Sequence, residues 1–264
     1  MQFQTDKLVA EKDGAIGRLV INNPAKRNAF SFAMWQALPV LLGNFAADED
    51  IRVVILRGAG GQAFSAGNDI SEFKERRSSK EKIAEYDAAT AHAYETLSSL
   101  SKPTIAAIEG HCVGGGLEVA LLCDLQIAAD TARFAVTPAR LGLGYKYEDV
   151  RLLVSNVGPK YAKEILFTAR QFSADEAQQM GIVNRVVPVD GLAAFVDQYA
   201  QAIAANAPLS IKAAKQIIAE TVKGPGAADL DLCQRLVDAC HVSTDYQEGQ
   251  RAFAEKRRPK FAGR

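Results

Sequence analysis

Between Thr104 and Asp124 an apolar strand, Thr104-Ile-Ala-Ala-Ile108, runs into Gly110-His-Cys-Val-Gly-Gly-Gly116 and then into the apolar segment Leu117-Glu-Val-Ala-Leu121. The pattern predicts a strand, a tight turn and a buried helix. The first N–H groups of a helix have no internal partner and stand at the positive end of its dipole, so this turn offers donors to an anion. Glu118 places a carboxylate in the first turn of that helix, among residues that are otherwise apolar from Leu117 to Cys123. A charge in such a setting is costly unless it is paired or has a task. Carboxylate and free amides side by side are suited to enolate chemistry. The bland alternatives are turn glycines without function and a structural ion pair for Glu118.

The flanking sequence makes this unit one of several. Leu8 to Glu11 and Ile16 to Asn22 read as strands of a hairpin turning at Asp13-Gly14. Ser31 caps a helix with Met34, Trp35, Leu38, Leu41 and Leu42 on a helical period, kinked at Pro39. Arg52 to Arg57 is a short buried strand, Gly58 to Ile70 a glycine-rich loop, and Glu72 to Lys82 an exposed charged helix or loop. Tyr86 to Leu100 has helical spacing, and Leu125 to Ala129 is a strand. This alternation predicts an α/β core with crossover connections. Beyond Phe134, Ser173 and Glu176 form a capping box, Val183 to Val187 is a last strand, and the pattern is helical from Leu192 onward.

Composition excludes several classes of function. At 264 residues and 48% apolar content the chain can bury one large core. With 31 basic and 31 acidic residues it has no net attraction for nucleic acid or an anionic membrane. No apolar run reaches the roughly 18 residues of a membrane span, and the charged start is unlike a secretory signal, so a cytoplasmic address is expected. Cysteines 112, 123, 233 and 240 lack the spacing of a disulfide framework or zinc knuckle and read as reduced thiols; no metal site is expected.

Other motifs fail on inspection. The glycines at 110 and 114 to 116 fit neither a P-loop nor the dinucleotide fingerprint. Ala63-Phe-Ser-Ala-Gly67 resembles the hydrolase nucleophile elbow without its first glycine, which argues against Ser65 as a nucleophile. His92, His111 and His241 are widely spaced and read as surface or packing residues, and His111 and Cys112, adjacent in an extended segment, point to opposite faces.

Taken together, Phe64-Ser-Ala-Gly-Asn-Asp69 and Gly110-His-Cys-Val-Gly-Gly-Gly-Leu-Glu118 resemble the enoyl-CoA hydratase/isomerase (crotonase) superfamily. Asn23-Pro-Ala-Lys-Arg-Asn-Ala29, Cys123-Asp124, Phe172-Ser-Ala-Asp-Glu-Ala177, Gly181-Ile-Val-Asn184, Glu248-Gly-Gln-Arg-Ala-Phe253 and Glu255-Lys-Arg257 extend the likeness across the chain. The resemblance implies an α/β spiral of ββα units over residues 1–190, with a C-terminal helical region over 191–264 that builds trimers or hexamers. It implies an acyl-CoA substrate and no cofactor beyond the coenzyme A the substrate carries. It assigns the oxyanion hole to the backbone N–H groups of Asn68 and Gly115, so that the side chain of Asn68 is not required, and makes Glu118 the acid/base. Removing one such donor typically costs about 3 kcal/mol of barrier. Lys26, Arg27, Ala66, Asp69 and Ile70 would line the CoA channel, with Phe253 and Lys256 reaching it from a neighbouring subunit; a solvated basic tail is the alternative for the last of these.

One departure matters. Hydratases of this family pair the helix glutamate with a second in the loop after the next strand, and in Phe134-Ala-Val-Thr-Pro-Ala-Arg-Leu-Gly142 that place is Pro138. Some relatives carry an aspartate four residues beyond the glycine matching Gly142, which here is Lys146. Glu148 and Asp149 are nearby candidates for a second acid, in a segment that also reads as a helix start; Arg140 and Lys146 could instead meet a polar acyl group. The expected activity is hydration of a 2-enoyl-CoA. The alternatives are one-base chemistry (isomerisation, decarboxylation, thioester hydrolysis) and a non-catalytic acyl-CoA binding protein.

Overall fold

A computed structural model of the chain describes residues 5–224 and 226–264. The chain opens with β1 (Leu8–Asp13) and β2 (Ile16–Ile21), an antiparallel hairpin with Asp13 opposite Ile16, so the turn is Gly14-Ala15, one residue later than the sequence predicts. Helix α1 (Phe32–Ala47) is capped by Ser31, whose side chain accepts from the Met34 N–H, and runs through Pro39 as one helix.

Next come β3 (Val53–Gly58), β4 (Ala63–Ser65), α2 (Phe73–Arg76) and α3 (Lys80–Ser99). The following passage is β5 (Thr104–Ile108), β6 (His111–Val113) and α4 (Gly115–Leu122), and the one after it β7 (Leu125–Ala129), β8 (Arg133–Ala135) and α5 (Tyr147–Thr168). The charged run that begins at Glu72 is thus divided: α3 starts at Lys80, capped by Ser79, six residues before the expected helix at Tyr86. β9 (Phe172–Ser173), α6 (Ala174–Met180) and β10 (Arg185–Val187) lead to α7 (Leu192–Ala204), α8 (Pro208–Thr221), α9 (Leu230–His241) and α10 (Thr244–Ala254).

The strands sort into two sheets in a regular way. In the three central passages the first strand (β3, β5, β7) enters a six-stranded sheet ordered β1-β2-β3-β5-β7-β10, and the second (β4, β6, β8) a four-stranded sheet ordered β4-β6-β8-β9. β3, β5 and β7 pair in parallel, as do β4, β6 and β8. Each ββα turn therefore stacks on the one before it and forms a spiral. Alternate residues of β5 explain its unbroken apolar sequence. Ala106 and Ile108 face the main core with Trp35, Phe64, Leu117 and Phe134, whereas Ile105 and Ala107 face a second core under α7 with Leu192 and Val196. The first helix after residue 190 thus covers the sheet itself.

Later helices attach through polar ties. Lys215 on α8 reaches Asp124 at 2.7 Å, and Asp124 also accepts from the Thr104 N–H, so the Cys123-Asp124 motif binds the helical region to the core. Among the described residues no helix is long and apolar enough to cross a membrane.

Candidate active site

The turns that follow β4, β6 and β8 lie side by side because those strands do. Phe30 bridges to the first turn: its N–H donates to the Gly67 carbonyl at 2.7 Å, and its carbonyl accepts from the Asp69 N–H at 2.8 Å. In a parallel bridge of this kind the residue between, Asn68, turns its own N–H to the opposite side. Gly115 is the first residue of α4, where no intrahelical acceptor exists. Among the described residues neither of these N–H groups meets a protein acceptor.

Close packing brings the two turns together. Gly67 has φ +88°, and a Cβ there would stand 2.8 Å from the Val113 carbonyl and 3.1 Å from the Gly115 nitrogen. A Cβ on Gly116 would meet the Ser65 carbonyl at 2.4 Å. Only glycine allows the backbones to approach this far. The Ser65 hydroxyl donates to the Asn28 carbonyl at 2.8 Å and accepts from the Gly67 N–H at 3.1 Å, and the residue is fully buried. It is a fastener for the turn, with no exposure to act as a nucleophile.

The Asn68 side chain has a structural part that the sequence did not reveal. Its Oδ1 accepts from the Trp35 indole N–H at 3.0 Å and the Tyr86 hydroxyl at 2.9 Å. Trp35 is itself fully buried and stacked on Phe30, with ring centres 4.2 Å apart. The amide aimed by this residue is therefore fixed from behind by two aromatic donors.

Glu118 is half-buried on α4, and its Oε2 accepts from the Tyr94 hydroxyl of α3 at 2.6 Å. Burial raises its carboxyl above the ordinary glutamate value and the negative charge of Asp149 adds to this, while Tyr94, Tyr145 and Lys146 act in the opposite direction. Burial and Glu118 also push both tyrosines up, Tyr94 well above the usual phenol range. Both stay protonated donors at neutral pH.

The third turn differs. Pro138 is buried at the start of a short 3-10 turn, Pro138–Leu141, and offers no acid. The segment after it begins α5, with the Lys146 N–H donating to Asp149 Oδ2 at 3.4 Å. Of the two candidates there, Glu148 is exposed. Asp149 is half-buried, raised above the ordinary carboxyl value by burial first, and it is the one whose charge is felt at Glu118. Lys146 pairs with Asp87 at 2.8 Å.

Other expected contacts fall as follows. Lys26 is exposed and bonded to Asp69 Oδ2 at 2.6 Å and to the Ser71 hydroxyl at 2.8 Å. Although burial opposes it, the bonds from Lys26 and from the Ser71 hydroxyl and N–H hold the Asp69 carboxyl below the usual range. Arg27 and Ile70 are exposed beside this pair, and Ala66 is half-buried, its N–H donating to the Arg27 carbonyl. Phe253, at the end of α10, is 88% exposed, and Lys256 follows it on the surface. Glu248, by contrast, is buried and binds Arg251 and Arg257, which organises the C-terminal motif. Among the described residues no group of three or more His, Cys, Asp or Glu could hold a metal ion.

Trp35, Tyr86, Tyr94 and Tyr145 were not legible as site residues. Trp35 satisfies a helical apolar period, and only its position as the sole tryptophan marks it. Tyr86 and Tyr94 carry polar tips on a helix packed beside the predicted site, and that is the signal a reader could have used.

A family model described as enoyl-CoA hydratase/isomerase matches residues 11–264. The chain is 32% identical over 256 residues to the short-chain-enoyl-CoA hydratase of Clostridium acetobutylicum, covering 97% of each chain. It is 35% identical over 270 residues to the methylmalonyl-CoA decarboxylase of Escherichia coli, covering both in full. The crystal structure of an enoyl-CoA hydratase/carnithine racemase from Magnetospirillum magneticum superposes with a TM-score of 0.92 at 38% identity, over 99% of this chain and 97% of that one. From the ββα spiral, the paired turns and these likenesses it follows that the chain belongs to the enoyl-CoA hydratase/isomerase (crotonase) family.

Proposed function

We propose that this protein is an acyl-CoA enzyme that hydrates a 2-enoyl-CoA through an enolate. The observation that carries the reading is the meeting of two unpartnered amides, Asn68 and Gly115, beside the carboxylate of Glu118. The thioester oxygen accepts from both N–H groups. Glu118 takes a proton from water as the oxygen of that water bonds to C3, the electrons of the double bond move onto the thioester oxygen, and the enolate is held as charge develops. Asp149 in its protonated form delivers the proton to C2 as the second acid, in place of the residue lost at Pro138, and the proton that Glu118 takes from water passes back to Asp149 to close the cycle.

In this reading Lys26, Arg27, Ala66, Asp69 and Ile70 border the CoA channel, with the Lys26–Asp69 pair shaping its wall. Phe253 and Lys256 serve a neighbouring subunit of a trimer or hexamer. No cofactor is needed beyond the coenzyme A of the substrate, and the protein works in the cytoplasm.

A second reading is favoured by Pro138. With one glutamate, the same hole suits one-base isomerisation, or decarboxylation, where loss of carbon dioxide itself leaves the enolate and only one proton must be returned. Purified protein offered crotonyl-CoA, longer 2-enoyl and 3-enoyl thioesters and a 2-carboxyacyl-CoA separates these outcomes. Loss of conjugated thioester absorbance with the mass gain of one water is expected. Turnover of only the 3-enoyl or carboxylated thioesters favours the second reading, and binding without any turnover contradicts both.

A further inference from the structure

We propose that Tyr94 is a positioning residue for the proton-transferring carboxylate, its hydroxyl on α3 holding Oε2 of Glu118 so that the carboxylate stays directed at the amide pair. The inference rests on the role given to Glu118 above and extends it to a residue on a different helix.

Geometry supplies the argument. The Tyr94 hydroxyl is 2.6 Å from Glu118 Oε2 and 3.4 Å from where a Cβ on Gly115 would stand, so it packs beside both the base and the residue that carries one oxyanion donor. Tyr94 is held in turn: its ring meets Trp35 edge-on, 5.5 Å between centres at 79°. Trp35 bonds Asn68 through its indole N–H. One buried indole thus supports the first donor directly and the base through Tyr94. A free glutamate on the first turn of a helix samples several rotamers, and a charge-assisted bond to a fixed phenol selects among them.

The groups facing Glu118 are Tyr94 from α3, and Tyr145, Lys146 and Asp149 from the segment that opens α5; Lys146 is also paired with Asp87 of α3. Of the groups that oppose the effect of burial on Glu118, Tyr94 is the strongest. Its own proton is held tightly, so it orients the base and does not give up a proton itself.

Tyr94→Phe removes the hydroxyl and keeps the ring that packs on Trp35, so the melting temperature should change little. With crotonyl-CoA, or whichever thioester is turned over, kcat is expected to fall about 10-fold with KM within about two-fold. The acid limb of the pH–rate profile moves to higher pH, because the base loses a donor to its charged form. A second readout needs no turnover: infrared or carbon-13 titration of the Glu118 carboxyl in the free protein, identified by its disappearance in Glu118→Gln, moves upward in the same variant. Unchanged kcat together with an unmoved carboxyl titration overturns the inference. Glu118→Gln assayed alongside separates the two levels. If it is inactive while Tyr94→Phe matches the parent, only the role of Tyr94 fails; if it is active, the assignment of the base fails first.

Discussion

The turns after β4 and β6 and the turn after β8 occupy equivalent places in successive ββα units, yet they are built differently. The first two are locked by close backbone packing, Gly67 against Val113 and Gly115 and Gly116 against Ser65, and by side-chain hydrogen bonds from Trp35 and Tyr86 to Asn68. The third begins with buried Pro138 and then becomes exposed, with Leu141 61% and Leu143 41% accessible before α5 starts. Two turns are thus held by close contacts on both sides, and the third is left more open. In the proposed reaction the contrast teaches that the part assigned to hold the enolate is fixed by close packing, whereas the second proton carrier stands beyond a turn with few packing demands.

Ways to break this contrast differ in size. Glu118→Gln keeps the side-chain shape and removes the base, so turnover should fall about 1,000-fold with CoA affinity little changed, as steady-state rates and calorimetric binding would report. Gly116→Ala attacks the locked pair of turns, since its Cβ would lie 2.4 Å from the Ser65 carbonyl. A loss of about 3 kcal/mol in chemical denaturation is expected, with activity lost through displacement of the Gly115 amide.

The open turn is probed by Asp149→Asn. Hydration should drop about 10-fold or more if this residue delivers the second proton. Where Asp149 is ionised in the free protein, loss of its charge also lowers the Glu118 carboxyl, so the acid limb of the residual rate in free enzyme shifts to lower pH, opposite to the shift expected for Tyr94→Phe. Retained hydration would mean that Asp149 acts on Glu118 through charge alone. Smallest of all is the effect on turnover of Ser65→Ala. Rates should stay within a few-fold of the parent, while two buried hydrogen bonds are lost at a stability cost of about 1–3 kcal/mol. Abolished turnover in a folded Ser65→Ala protein would revive a serine nucleophile.

Much of the fold was legible because its signals are local. The strands at Thr104 and Leu125, the Ser31 and Ser173 caps, and the glycine turn before Glu118 each declare themselves within a few residues. Bounds shifted where tertiary packing decides: α3 begins at its Ser79 cap, and the hairpin turn moves to Gly14-Ala15. The free amides of the glycine turn before Glu118 are legible from the helix start, and the resemblance adds Asn68; the β-bridge that frees the Asn68 amide, and its place beside Gly115, belong to the pairing of β4 with β6. Trp35, Tyr86 and Tyr94 stayed hidden because contacts between distant helices and turns leave no spacing in the sequence. Pro138 was legible as an absence, while the choice of Asp149 over Glu148 needed the orientation of the first turn of α5.

The central claim is that the substrate oxygen lies between the amides of Asn68 and Gly115. A crystal structure of the protein with an unreactive acyl-CoA thioester tests it most directly. The account predicts the thioester oxygen within about 2.7–3.1 Å of both nitrogens, with the acyl α-carbon next to the Glu118 carboxylate. A thioester bound elsewhere, or with its oxygen turned away from either amide, would contradict it.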